Sequence, residues 1–262
     1  MKKILLSSIA SMVIATSASA FAGLNVEVGG GLWQPSLSGH VKYGTTSANN
    51  EINFDTLNPD DDTTSGNNYL YLDFSHFVPM IPNIRVEKLN YNITGDATLT
   101  TTFDGKDFAG NVKSELDMKQ TDIIAYWGVP FLGVATAGIL NVNFGLDAKN
   151  LNGYIELDDG TKTGKASFDE TLPLLYLNAK IDIPATPIEL SATTKQLSYD
   201  GASISDNQAK LSVKLPIPLP LIDFKFDIGY KSQNITIPDS LVDNLDAKID
   251  TEGVFFGLNA KF

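Results

Sequence analysis

Residues 252–262 constrain the fold more than any other stretch. Val254, Phe256, Leu258, Ala260 and Phe262 alternate with Gly253, Phe255, Gly257, Asn259 and Lys261. A period of two means a β-strand whose two faces meet different surroundings. The same design recurs upstream. Ile222, Phe224, Phe226, Ile228 and Tyr230 oppose Asp223, Lys225, Asp227 and Gly229. Leu211, Val213 and Leu215 oppose Lys210, Ser212 and Lys214; Ile188, Leu190 and Ala192 oppose Glu189, Ser191 and Lys195; and Leu177, Ala179, Ile181 and Ile183 oppose Tyr176, Asn178, Lys180 and Asp182. Further strands are expected at residues 24–43, 68–77, 83–93, 112–127 and 137–155, with Tyr69, Tyr71 and Asp73 facing away from Leu70, Leu72 and Phe74. The register around residues 118–126 is ambiguous from sequence.

The connections sort by length. Short, proline-bearing links fall at residues 78–82, 129–132, 184–187 and 216–220, and longer polar ones at 44–67, 94–110, 157–165, 199–207 and 232–248. Membrane barrels need this pattern, because their periplasmic ends are tight and their outer ends elaborated. The expected fold is all-β: a closed antiparallel transmembrane β-barrel of about ten strands, with short periplasmic turns and long extracellular loops. No stretch reads as a transmembrane helix, since the most apolar one, residues 128–142, contains Pro130 and three glycines.

Lys2 and Lys3 precede a mainly apolar run, residues 4–16, and then Ala18-Ser19-Ala20. That is the layout of a secretory signal, cut before Phe21. Residues 1–20 are therefore expected to be a signal peptide and 21–262 the barrel domain. As a helix the apolar run is too short to cross a hydrocarbon core of about 30 Å. Removing two of the 19 basic residues leaves 17 against 31 acidic ones, a formal charge of −14. Nucleic acid is excluded as a partner by that balance, because phosphate binding needs clustered bases. Cysteine is absent, which removes disulfides and thiolate metal sites.

Val28-Gly29-Gly30-Gly31-Leu32-Trp33, followed by Gln34-Pro35 and Gly39, resembles the amino-terminus of a family of small outer-membrane barrels named for a glycine-glycine motif, many of uncharacterised role. Pro82-Asn83-Ile84-Arg85-Val86-Glu87, Thr121-Asp122 and Tyr126-Trp127 add to the likeness. The resemblance implies a fold and the outer membrane of a Gram-negative bacterium, with membrane lipids and the barrel-assembly machinery as partners. It implies no reaction. The last strand likewise resembles the segment outer-membrane barrels present to that machinery, with Phe262 as the assembly signal. The glycines themselves read as close strand packing or a bulge rather than a ligand site.

Chemistry-bearing groups are sparse. About ten strands is also the size of omptin-like outer-membrane proteases, whose paired aspartates and Asp-His couple have no matching arrangement here. His76 is expected at the periplasmic rim and His40 near the outer end of the first strand, neither with a nucleophile or carboxylate beside it in sequence. No catalytic, cofactor or metal set is assigned, and no enzyme activity is expected. Glu51, Asp55 and Asp60-Asp61-Asp62 make residues 44–67 acidic, but without the glycine-centred spacing of an EF-hand they read as a solvated loop. Asp159-Gly160 reads as a hairpin turn. Residues 238–245 read as a helical turn with Leu241 and Leu245 over the barrel mouth. Trp127, Phe131, Tyr230 and Phe262 suit interfacial girdles.

Alternation puts Lys180, Asp182, Glu189, Lys195, Lys210, Lys214, Asp223, Lys225, Asp227 and Lys261 on the polar face, as a lumenal charge network. Six bases and four acids can pair across a narrow lumen, where an unpaired ion would cost several kcal/mol. A barrel this size is nearly filled by side chains. The expected role is thus a narrow channel or binding protein for a small solute, or a structural envelope component. The alternative is a surface adhesin, or a binder of divalent cations, acting through acidic loops.

Overall fold

The computed structural model describes residues 23–43, 51–56, 58–59, 67–219, 222–238 and 245–262; the expected signal peptide, Asp60 to Asp62 and most of residues 238–245 lie outside them. The alternating segments form β1 (Leu24–Tyr43), β2 (Glu51–Asn53), β3 (Asn58–Pro59), β4 (Asn68–His76), β5 (Asn83–Phe103), β6 (Lys106–Gly128), β7 (Leu140–Asp158), β8 (Thr163–Asp182), β9 (Ile188–Tyr199), β10 (Ala202–Lys214), β11 (Asp223–Ile237) and β12 (Leu245–Lys261). A single helical turn, Leu132–Ala135, sits between β6 and β7.

The ten long strands pair antiparallel with their neighbours. β12 pairs back onto β1, from Glu27 opposite Lys261 to Tyr43 opposite Leu245, and the wall is closed. Phe262 adds the last rung: its N–H donates to Val26 O at 2.8 Å and its carbonyl accepts from Val26 N at 3.4 Å. Tracing paired residues once round the wall from Val26 leads back to β1 at Ser38. Such stagger is what tilted strands need to close. Glycines on β1 and β12 make room inside. A Cβ on Gly29 would lie 2.5 Å from the Tyr71 ring, and one on Gly257 2.3 Å from the Tyr69 hydroxyl.

The long outer excursions differ from polar loops. Most of residues 94–110, 157–165, 199–207 and 232–248 continue the strands. β5 and β6 meet at Asp104-Gly105, and β9 and β10 at Asp200-Gly201, each pair with positive φ at both residues. These are the turns whose twist matches that of the flanking strands. β4 is the exception, ending at the level of Leu32. Above it β2 pairs with β1 at His40 to Lys42, and β3 pairs with β5 at Gly95 and Asp96, so the first outer connection patches the wall.

Side-chain direction keeps one parity along each strand, but its chemistry reverses midway. On β12 the outward residues are Asp246, Lys248, Asp250 and Glu252, then Val254, Phe256, Leu258 and Ala260. Inward lie Ala247 and Ile249, then Gly257, Asn259 and Lys261. The periplasmic half is thus oily outside and ionic inside; the outer half is polar outside and apolar inside. Phe103, Phe108, Val112, Leu116 and Leu157 are buried in that outer half, joined by Ile52 of β2 and Phe54 just after it. Polar outward residues made these stretches resemble loops, because the apolar face there is the opposite one.

Candidate functional site

A closed strand wall with an apolar exterior and an ionic interior satisfies every requirement for crossing a bilayer. The chain is an outer-membrane barrel of the Gram-negative type. Both termini of the barrel lie at one end, the periplasmic end in this class.

Immediately under the apolar core lies a layer of buried ions. Lys149 Nζ donates to Asp122 at 2.8 Å and to Asp206 at 3.0 Å. Lys195 Nζ donates to Glu87 at 2.5 Å and to Asp122, with Asp147 at 3.8 Å. Lys231 donates to the other oxygen of Asp206 at 2.5 Å. Gln120 and Gln233 exchange amide hydrogen bonds of 2.8 Å across the lumen, tying β6 to β11. Lys149 and Lys195 are each only 2% exposed, so these contacts replace hydration almost completely. Neither carboxylate oxygen of Asp147 accepts a protein hydrogen bond. Its nearest cation is the Lys195 ammonium at 3.8 Å, and that lysine already serves two other acids.

Farther down, Arg85 donates to Asp73 at 3.1 Å and to Glu87 at 2.6 Å, with its guanidinium 4.0 Å from the centre of the Tyr71 ring. Tyr126 donates to Asp73 at 2.7 Å, and Tyr71 to Glu27 at 2.7 Å. A cavity of about 70 Å³ opens here, lined by Tyr69, Tyr71, Tyr176, Lys180, Gln208, Lys210 and Asp227 among others. The Tyr69 hydroxyl and one oxygen of Asp227 have no protein partner. Trp33 and Phe255 of the apolar core also line it.

The ten residues assigned to the lumen by alternation all lie at inward positions of β8 to β12, but they do not form one network. Lys195 joins the deep layer. Lys210 pairs with Asp227 at 3.2 Å and Lys225 with Glu189 at 2.5 Å. Lys214 and Asp223, at 2.6 Å, are half-exposed at the periplasmic mouth; Asp182 and Lys261 are also exposed there. Lys180 lines the cavity within electrostatic reach of Glu27 and Glu189. Sequence reasoning missed Asp122, Asp147, Lys149, Asp206 and Lys231, the centre of the deep layer. Asp206 fell in a stretch read as a loop, and Asp122 in the ambiguous register. Carrying the parity of Tyr126 back through Ile124 would have turned Asp122 inward.

His76 accepts from Val78 N at 3.2 Å through Nδ1, and its Nε2 lies 3.2 Å from Pro82 O, so it organises the first inner turn. His40 lies 4.0 Å from Asp246, a carboxylate distant in sequence. Asp55 accepts from Gly39 N at 3.1 Å, and both Glu51 and Asp55 are exposed. The loop carrying them is not simply solvated, because it inserts Ile52 and Phe54 into the core. Among the described residues no cluster of metal-ligating side chains occurs.

No family model matches the chain, and no curated protein matches it in sequence. Similar solved structures include the attachment invasion locus protein of Yersinia pestis in complex with the heparin analogue sucrose octasulfate, at 10% identity over 92% of this chain and 99% of that one, with a TM-score of 0.34. The outer membrane protein OprG of Pseudomonas aeruginosa gives 12%, 92%, 96% and 0.30. The CymD monoaromatic hydrocarbon channel gives 11%, 92%, 69% and 0.31. At such scores nothing of those proteins' activities carries over.

Proposed function

We propose that this barrel is a non-conducting outer-membrane protein that presents a rigid, acidic β-tower at the cell surface. One observation carries the reading: the outer half of the lumen is filled by buried apolar side chains, with Ile52 and Phe54 packed among them. Water and ions have no path through such a core, because close-packed interiors leave few voids of water size. The lumenal charges nearly cancel, and among the described residues Asp117, Glu156, Asp158, Asp246, Asp250 and Glu252 face outward on the tower. Such a surface favours a cationic partner, either a basic macromolecular patch or divalent cations held between carboxylates.

Planar-bilayer recording tests this directly. Purified protein is expected to leave the membrane at baseline conductance at every insertion; reproducible unitary steps would overturn the reading. The polar cavity near Tyr69 and Asp227 supports a second reading, a small-solute site. Because the apolar core lies above it, that site exchanges with the periplasm, and equilibrium binding of small polyols lost in Asp227→Leu is its test.

A further inference from the structure

The four periplasmic connections, residues 77–82, 129–139, 183–187 and 215–222, contain no charged residue at all. Turns washed by water have no reason to be so oily, and the described residues of these are not folded away. Met80 is 90% exposed, Val134 86% and Phe131 85%, with Phe77, Ile81, Ile217 and Leu219 also exposed. Eight of the chain's 12 prolines lie in the same four segments.

We infer that these turns form a collar immersed in the lipid of the inner leaflet, at the level of the glycerol backbones. Three physical arguments converge. The collar is continuous with the lipid-facing belt: each segment joins strand ends whose outward residues, such as Phe74, Ile84, Ile181, Ile188, Val213 and Phe224, are apolar. Backbone amides are what make irregular chain costly in lipid, and proline carries no N–H. Several remaining amides are already bonded, as when Val129 N donates to Val142 O at 2.8 Å, Ile217 N to Leu215 O at 2.8 Å and Leu219 N to Ile217 O at 2.8 Å. Finally, the aromatic girdle expected at the inner interface is supplied here by turns: Phe77 and Phe131 belong to them. The outer connections show the contrast, with Asp104, Asp159, Lys162 and Asp200 at their tips.

A cysteine-free chain makes the test simple. Met80→Cys, Val134→Cys and Asp159→Cys, each carrying a nitroxide, are reconstituted in pure phosphatidylethanolamine–phosphatidylglycerol vesicles, with the unsubstituted protein's circular-dichroism spectrum as the folding control. The ratio of oxygen to nickel-chelate accessibility is expected to be several-fold higher at residues 80 and 134 than at 159. Nickel access at 80 and 134 equal to that at 159 would overturn the inference, and the rim would then await an apolar protein partner instead. Conductance does not enter this readout, so its outcome is independent of the proposed function.

Discussion

The two halves of every long strand except the short β4 are built alike in backbone and oppositely in side chains. On β11, Phe226, Ile228 and Tyr230 face outward below, whereas Asn234 and Thr236 face outward above. Inward, the lower half offers Lys225 and Asp227 and the upper half Ile235 and Ile237. No bulge or slip is needed between them, since the ladder from β10 to β12 runs unbroken across the change. What changes is the medium outside. In lipid the wall gains nothing from apolar side chains turned inward, and ions must go into the lumen and pair; in water the hydrophobic effect pulls apolar groups into the same lumen.

The largest effect that tests this contrast concerns the deep ionic layer. Lys195→Met removes the cation that Glu87, Asp122 and Asp147 share; Glu87 keeps Arg85 and Asp122 keeps Lys149, but Asp147 is left without a close ion partner, and breaking a buried ion pair costs about 3–5 kcal/mol. Urea unfolding in vesicles should show that loss, while Lys248→Met on the outward tower face stays within about 0.5 kcal/mol. Equal effects would mean that the ionic layer is not structural.

A smaller and more direct contrast places one substitution on one face of one strand in two media. Ile228→Lys puts a charge against lipid and is expected to destabilise by about 2–4 kcal/mol. Thr236→Lys, on the same side above the belt, should change stability by under about 0.5 kcal/mol. If both were neutral, the lower face would not be in contact with hydrocarbon.

The smallest effect lies at the tower's tip. The Asp159 carboxyl accepts from Thr161 Oγ1 at 2.6 Å, Thr161 N at 2.9 Å and Lys162 N at 3.0 Å. These bonds, the Thr161 hydroxyl first, hold its pKa at about 2 against an ordinary 3.8. A depressed folded value means the tip's stabilisation is complete above 3.8 and fades as pH falls through about 2. Chemical shifts of Thr161 and Lys162 should therefore stay constant on acidification until that window and move within it. Asp159→Ala should abolish the transition, and the buried layer below should not respond to this change.

Much of the fold was legible in residues 177–262, where apolar and charged residues alternate in the lipid-facing phase and prolines mark the inner turns. Tyr71, Asp73 and the ten inward-assigned positions could be placed on a face for the same reason. The outer half was not legible. There, Phe103, Phe108 and Leu157 alternate with polar neighbours just as regularly, but in the opposite phase, so a reader holding the lipid phase sees a loop. Nor could residues 44–67 reveal that Ile52 and Phe54 fill a gap, because the gap exists only where short β4 stops beside long β1 and β5.

By itself the sequence determined the lower strand halves, their two-residue period, the inner turns and the export of charge from the lower wall, since each is a local property of neighbouring residues. Tertiary closure alone decided which ions meet, and that apolar side chains from several strands gather in the outer half of the barrel. Those depend on residues such as Glu87, Asp122 and Lys195, separated by dozens of positions along the chain and brought within bonding distance only when β12 returns to β1.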